Sequence, residues 1–447
     1  MIHSILDSTT TIVAPATAEG GAVMVIRLSG EDAISIADAM FRGRTPLADA
    51  EGYTLHYGRI VDGERVVDDV VVALFRAPHS YTGDDTVEIT IHGSKYISQE
   101  VIRLAVKHGA RVATAGEFTR RSFLAGKMDL SRAEAVADII SSDTEWSHDV
   151  ASRQMCGGYS CRLAALREQL LRLCSLLELE LDFSEEDVEF ADRKELVQIV
   201  EDVATQLRSL VESFRLGNVL KNGVMVAIVG EPNVGKSTLL NALVEEDRAM
   251  VSDVAGTTRD TVEATMVIDG VRFRFVDTAG LHSTDDRLEQ MGIERTQRAM
   301  NEAHIVLHIA SAERPIFSAV MPKSGQHYVR VINKIDKVST CESADAHLMS
   351  AKDGRGVEEL KALLRSTVDT ATLNRSDVLV TNMRHYEALH RALEALGDVE
   401  RAIRHGLSGD LLSEDLRRVL HHLGEITGEV TSDDILHNIF SKFCIGK

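Results

Sequence analysis

The sequence predicts a multidomain α/β and α protein: a parallel-sheet α/β domain is inserted into a helical domain, and an α+β domain precedes both. Three observations predict it. An apolar strand-like run, Val224 to Val229, leads into Gly230-Glu231-Pro232-Asn233-Val234-Gly235-Lys236-Ser237 and then into helix-forming residues Thr238 to Val244. Helical texture flanks this region on both sides. Leu163, Leu166, Leu170, Leu173 and Leu177 recur at three- and four-residue steps before it, and Ala388, Leu389, Ala392, Leu393 and Leu396 do so after it. The first 126 residues instead alternate β-rich runs with glycine-containing turns.

Taken in order, residues 1–126 form the α+β domain, with strands expected at Val23 to Leu28, Val66 to Phe75 and Thr86 to His92. Residues 127–218 are the first part of the helical domain. Residues 219–382 switch to strands alternating with helices, the pattern of a parallel sheet. Residues 383–447 return to helix and end in Cys444-Ile445-Gly446-Lys447. Such an insertion is physically cheap where the host's two chain ends lie close together at a surface.

The 447 residues exceed what one core can organise. Aromatic residues make up only 4% of the chain, with Trp146 the single tryptophan, so the cores are expected to be aliphatic. The formal charge of −20 argues against a surface that grips a phosphate backbone all over, while leaving room for a local basic patch. The five cysteines lack metal-ligand spacing and read as free thiols of a reducing, cytoplasmic setting. No secretory signal and no apolar run of about 18 residues is evident, so no membrane span is expected. The terminal Cys-Ile-Gly-Lys has the outline of a prenylation box, but its terminal Lys and the lack of an upstream basic run make it a poor match.

The octet Gly230 to Ser237 has the form and context of a phosphate-binding loop. Gly230 and Gly235 let backbone N–H groups close around a β-phosphate at a helix N-terminus. Lys236 reaches β- and γ-oxygens, and the Ser237 hydroxyl is placed for Mg²⁺. Three further elements follow in order. Asp277-Thr278-Ala279-Gly280 ends a strand, with a carboxylate for Mg²⁺ through water and an N–H for the γ-phosphate. Asn333-Lys334-Ile335-Asp336 ends another, and Asp336 can accept from both the ring N–H and the exocyclic amine of guanine. Adenine lacks that donor pair, so discrimination is large. Ser350-Ala351-Lys352 completes the base pocket. The chain therefore reads as a GTP hydrolase. Many GTPases carry Gln directly after Asp-x-x-Gly to orient the attacking water, and here Leu281 stands there. Asp285, Asp286 and Glu289 are acidic candidates for that task; the same stretch also reads as a solvated acidic loop.

Beyond these motifs the chain resembles the MnmE or TrmE family of tRNA-modification GTPases nearly end to end. The resemblance rests on Ala255-Gly256-Thr257-Thr258-Arg259-Asp260, Gly292-Ile293-Glu294-Arg295, Ser80-Tyr81-Thr82-Gly83-Asp84-Asp85 and Gly116-Glu117-Phe118-Thr119. Gly126-Lys127-Met128-Asp129-Leu130, Ala133-Glu134-Ala135 and Phe443-Cys444-Ile445-Gly446-Lys447 extend it. It implies a homodimer whose G domains meet across their nucleotide faces, with K⁺ in place of an arginine finger. Asn233, Ser252, Val254 and Thr257 match the K⁺ ligands, Ser237 and Thr258 the Mg²⁺ ligands, and Glu289 the catalytic glutamate. The GTP-contacting set becomes Asn233, Val234, Gly235, Lys236, Ser237 and Thr238, then Ser252, Asp253, Val254, Ala255, Gly256, Thr257 and Thr258. Asp277, Thr278, Ala279, Gly280, Asn333, Lys334, Asp336, Ser350, Ala351 and Lys352 complete it.

The resemblance further implies an N-terminal domain similar to folate-binding domains, serving dimerisation and holding 5-formyl- or methylene-tetrahydrofolate through Arg27, Glu88, Lys127 and Lys447. A pterin carries the amino-pyrimidinone edge of guanine, which a carboxylate such as Glu88 can read, while cations meet the glutamyl tail. It implies a heterotetramer with the FAD-containing protein MnmG, tRNA as substrate, and an aminomethyl or carboxymethylaminomethyl group added to C5 of wobble uridine 34. Cys444 matches a tail residue tied to that modification. The chain lacks a Gly-x-Gly-x-x-Gly fingerprint of its own, which fits a flavin supplied by the partner. Departures occur at His282, Ser94 and the stretch Ala18-Glu19-Gly20-Gly21. The alternative is a regulatory GTPase of ribosome assembly without modification chemistry; such proteins usually add a second G domain or an RNA-binding KH module, and neither is visible here.

Overall fold

A computed structural model describes residues 10–182, 193–245, 263–277, 299–317, 322–323, 325–339, 343, 345–368, 378–405 and 409–446. Two compact units divide the chain: residues 1–137, 154–204 and 388–447 form one, and residues 138–153 and 205–387 the other.

The first unit opens with β1 (Ile12–Pro15), β2 (Val23–Ser29), α1 (Ala33–Met40), β3 (Phe41–Gly43), β4 (Thr54–Asp62) and β5 (Arg65–Phe75). There follow β6 (Thr86–His92), α2 (Lys95–Lys107), β7 (Arg111–Val112) and α3 (Glu117–Leu124). The strands join in the order β3-β4-β5-β6-β2-β1-β7, antiparallel except for the parallel β1–β7 pair. Strict alternation sorts the side chains. Met24, Ile26 and Leu28 of β2, Val70, Val72 and Leu74 of β5, and Val87, Ile89 and Ile91 of β6 bury one face under α1 and α2. The opposite face carries Arg27 and Glu88, directly paired across β2 and β6, and the exposed Leu55, Tyr57 and Val71.

Four helices follow: α4 (Leu130–Ser141), α5 (Glu145–Met155), α6 (Gly158–Asp182) and α7 (Arg193–Asn222). The leucine ladder of α6 is buried as its spacing predicts, with Leu163, Leu166, Leu170 and Leu173 fully enclosed.

The second unit continues with β8 (Val224–Gly230), α8 (Lys236–Glu245), β9 (Glu263–Ile268), β10 (Val271–Asp277), β11 (Ile305–Ser311), β12 (His327–Asn333), β13 (His347–Leu348) and α9 (Val357–Ser366). Its sheet runs β13-β12-β11-β8-β10-β9, parallel throughout except for the β9–β10 hairpin. Within this unit the backbone at Val380 lies against α7. Val380 N–H donates to Ser213 Oγ on α7 at 3.1 Å, and a Cβ at Gly217 would meet the Val380 carbonyl at 2.2 Å. Only glycine permits that approach. Residues 138–153, read in the sequence as part of the helical domain, group with the α/β unit. Trp146 packs against its apolar core and against Gly270 at the β9–β10 turn, and Asp138 pairs with Lys221 at 2.7 Å.

The chain closes with α10 (Met383–Arg404), α11 (Gly409–Thr427) and α12 (Asp433–Phe440). Ala388, Leu389, Ala392 and Leu396 are buried, and Leu393 is half-buried. In the first unit α11 packs on α6, where Arg167 donates to the Leu420 carbonyl at 2.9 Å. No described helix is long and apolar enough to cross a membrane.

Candidate functional site

The phosphate-binding loop leaves the sheet at Gly230, whose φ of 153° is one that residues with side chains rarely adopt. A Cβ there would lie 2.2 Å from the Ile309 carbonyl oxygen of the neighbouring strand. Gly235, at φ 97°, is closed to other residues twice over, since a Cβ would also meet Asn333 Nδ2 at 2.4 Å. Asn233 sits exposed at the loop's crest with φ 63°, while Val234 turns into the core. Lys236 opens α8, is buried, and folds back so that Nζ donates to the carbonyls of Gly230 at 2.7 Å and Glu231 at 2.9 Å. A cation is thus held at the centre of the loop by dipoles that phosphate oxygens can replace. Ser237 and Thr238 follow, exposed, in the first turn of α8. Asp277 closes β10 beside Ile228 of β8, which puts its backbone at the loop's edge.

Two return loops are stitched to this one. Asn333, 2% exposed at the end of β12, donates from Nδ2 to the Val234 carbonyl at 3.0 Å and accepts from Ala351 N–H at Oδ1 at 2.9 Å. Lys334, at φ 66°, donates to the Asn233 carbonyl at 2.5 Å. The Ser350 hydroxyl donates to Asp336 Oδ1 at 2.8 Å, and this bond leads the effects that hold the Asp336 carboxyl below its ordinary pKa. Asp336 is exposed, ionised at neutral pH and fixed in direction, while Ser350 is fully buried and Lys352 exposed. Asn333, Lys334, Asp336, Ser350 and Ala351 are therefore brought together with the loop Asn233 to Lys236. The expectations for Ser252, Asp253, Val254, Ala255, Gly256, Thr257, Thr258, Thr278, Ala279, Gly280 and Glu289 lie outside the described residues, as does that for Lys447.

A second constellation occupies the outer face of the N-terminal sheet. Arg27 Nε donates to Glu88 Oε1 at 2.8 Å. The guanidinium lies 5.7 Å from the Tyr81 ring centroid and 5.6 Å from that of Phe118, within cation–π range. Arg27 Nη1 reaches the Gly446 carbonyl at 3.3 Å. The tail enters there in a fixed conformation: Ile445 bridges to Ala115, Gly116 N–H reaches the Cys444 carbonyl at 3.4 Å, and Gly446 adopts φ 98° against Pro15. Cys444 is exposed. Lys127 instead donates to the Ser80 carbonyl at 2.7 Å, anchoring the loop that carries Tyr81. Burial raises the Tyr81 hydroxyl pKa, so the phenol stays neutral beside Thr119. The sequence reading assigned no role to Tyr81, Phe118 or the Gly446 carbonyl, although the motifs that contain them were visible.

The same region is braced by Glu117, 1% exposed. It accepts from Arg111 at 2.6 and 2.9 Å, from Thr114 N–H at 2.8 Å and from Arg121 at 3.3 Å. Burial pushes its carboxyl up, but the Arg111 hydrogen bonds, the Thr114 N–H and the Arg121 charge outweigh burial and hold it at about 2. A depressed folded-state pKa contributes stability that is complete above the ordinary carboxylate range and is lost as pH falls through about 2. Glu117→Gln is expected to destabilise the protein by about 3–5 kcal/mol at neutral pH, because Arg121 keeps its buried charge without this partner. It should also flatten the acid limb between about pH 4.5 and pH 2. Urea unfolding across that range checks both; an unchanged acid limb would assign the acid response to other groups.

A strand, a glycine loop at a helix N-terminus, and two return loops carrying Asn-Lys-x-Asp and Ser-Ala-Lys define a P-loop GTPase domain inserted into a helical host. Comparison with known proteins is specific beyond that class. The model of the MnmE helical domain matches residues 130–444, and that of the GTP-binding protein TrmE N-terminus matches residues 11–127. The tRNA modification GTPase MnmE of Christiangramia forsetii is 50% identical over 469 residues, covering 98% of this chain and 99% of that protein. The proteins of the same name from Bacteroides fragilis and Flavobacterium johnsoniae are 47% identical, each over 98% of this chain and 99% of their own length. The chain belongs to the MnmE (TrmE) family of tRNA modification GTPases and is a GTP hydrolase.

Proposed function

We propose that this GTPase drives modification of tRNA, hydrolysing GTP in a K⁺-dependent reaction. With the FAD-containing protein MnmG it adds an aminomethyl or carboxymethylaminomethyl group to C5 of wobble uridine 34 in certain tRNAs. The observation that carries the hydrolase half is the stitched loop set: the Ser350 hydroxyl fixes the carboxylate of Asp336, and Asn333 ties that loop to the phosphate loop. A guanine base and its phosphates are thereby read by one connected piece of backbone.

In this reading Lys236 exchanges the Gly230 and Glu231 carbonyls for β- and γ-phosphate oxygens. Ser237 and Thr258 hold Mg²⁺, which supplies charge neutralisation at the phosphates when bound. Asn233, Ser252, Val254 and Thr257 hold K⁺, and the exposed, left-handed Asn233 at the loop's crest fits an oxygen ligand there. Glu289 orients the attacking water, a task that Leu281 cannot perform.

The tetrahydrofolate site comprises Arg27, Glu88, Lys127 and Lys447. Its fit rests on the partly exposed Arg27–Glu88 pair between the Tyr81 and Phe118 rings. A flat heterocycle meets a carboxylate, a guanidinium and an aromatic wall there. The bound folate supplies the one-carbon unit. The chain works as a homodimer through the N-terminal domain, whose sheet leaves Leu55 and Tyr57 more than 70% exposed. Cys444, exposed on the docked tail, acts beside the one-carbon site.

The test is turnover by the purified chain in KCl and in NaCl, followed by reconstitution with MnmG, folate and tRNA. GTP turnover roughly 10²-fold faster in K⁺ is expected, given what one aligned electrostatic stabiliser contributes. Uridine 34 should be modified only when both proteins are present. Equal turnover in the two salts would remove the K⁺ mechanism. Uridine 34 that stays modified in a deletion strain, with ribosomal precursors accumulating, would favour a ribosome-assembly role.

A further inference from the structure

Outside the two sites above, one group of metal-competent side chains converges among the described residues. It consists of His421, His422 and Glu425 on α11, whose ligand atoms all lie within 4.8 Å of one another. The spacing is a helical one: i and i+4 for His421 and Glu425, i+1 and i+4 for His422 and Glu425, which gathers three side chains on one surface strip. His421 Nε2 lies 3.4 Å from Glu425 Oε1, and His422 Nδ1 lies 3.5 Å from Glu425 Oε2. Hydrogen bonds between such groups run at about 2.7–3.0 Å. Ligand atoms at the corners of a tetrahedral Zn²⁺ site, with bonds of about 2.0–2.1 Å, stand about 3.3–3.4 Å apart. His422 Nδ1 is buried and forms no close hydrogen bond, and the Glu425 carboxylate 3.5 Å away is the group it faces.

We propose that His421, His422 and Glu425 form a binding site for a divalent transition ion of the zinc class, distinct from the Mg²⁺ of the nucleotide site. Two imidazoles and one carboxylate are the donor set that Zn²⁺ shares with Co²⁺ and Ni²⁺, and hard ions such as Mg²⁺ prefer all-oxygen sites. From the facing helix α10, Arg391 donates to Glu425 Oε2 at 2.9 Å. It orients the carboxylate from outside the ligand set and, as a cation, also weakens the site. His421 is half exposed, so the remaining coordination positions open to water. All three ligands lie on a single helix.

The test uses the full-length chain, stripped with a chelator and held in Mg²⁺ and GDP so that the nucleotide site's own demand is met. Co²⁺ is titrated while its visible d–d absorption is followed, and Zn²⁺ is then added as competitor. One equivalent of Co²⁺ that Zn²⁺ displaces is expected. His422→Ala and Glu425→Gln should each weaken binding at least about tenfold, whereas Arg391→Gln should tighten it. Circular dichroism and GDP affinity serve as controls for folding. Should His422→Ala fold poorly, the half-exposed His421→Ala gives the same loss. Indistinguishable titrations of wild type and both histidine variants would overturn the assignment, as would the absence of a one-equivalent Co²⁺ signal.

Discussion

Asp336→Asn is expected to lower GTP affinity by roughly 10⁴-fold and to turn the preference toward xanthine nucleotides. Guanine presents two donors side by side, the ring N–H and the exocyclic amine, and a carboxylate accepts both. An amide accepts one and points its own N–H at the other, leaving two donors opposed in a partly desolvated pocket. Xanthine replaces the exocyclic amine with a carbonyl, which suits the amide. The Ser350 hydroxyl, donating to Asp336 Oδ1 at 2.8 Å, fixes the direction of the group, so the exchange alters chemistry more than geometry. Competition binding with GTP, xanthosine triphosphate and ATP measures it. Retained GTP preference in the variant would mean that Asp336 does not read the base.

The second large effect is expected from Asn333→Ala, a residue that need not touch the nucleotide at all. Its amide bridges the Val234 carbonyl at 3.0 Å and the Ala351 N–H at 2.9 Å, both in buried surroundings. Truncation leaves a buried donor and a buried acceptor unsatisfied, each worth about 1–3 kcal/mol. The cost falls on the register between the phosphate loop and the base loop. A loss of about 2–4 kcal/mol corresponds to roughly 30- to 1,000-fold in nucleotide affinity. Asn333→Asp separates the two bonds: it keeps an acceptor for Ala351 N–H and loses the donor to Val234. Isothermal titration with GDP should rank the variants Ala weakest, Asp intermediate and wild type tightest. Equal affinities would reduce the bridge to a local packing detail.

Much of this was legible in the sequence for physical reasons. The strand at Thr86–His92 was legible because alternation and β-branched residues set it against its glycine-bearing turns. The strand Val224–Gly230 and the helix at Lys236–Glu245 were legible because a glycine loop punctuates them. The leucines of α6 declared the buried stripe by period alone. Asp336 and Lys236 could be named because few other residue types meet a guanine edge or a triphosphate at those positions.

What remained hidden depends on contacts between distant positions. Nothing local marks Gly446 as the residue whose carbonyl meets Arg27, 419 positions away. The dual attachment of Asn333 spans 99 residues in one direction and 18 in the other. Glu117 reads as an ordinary acidic residue at a helix start, and its depressed pKa arises only once Arg111 and Arg121 converge on it. The association of residues 138–153 with the α/β unit follows from Trp146 finding Gly270, a fit that no periodicity announces.

The most direct measurement is displacement of a labelled guanine nucleotide from the full-length chain by unlabelled GTP and by ATP, in Mg²⁺ and K⁺. GTP should displace it stoichiometrically, while ATP at about a thousandfold excess should leave it bound. Displacement by ATP at concentrations comparable to GTP would contradict a base site built on Asp336.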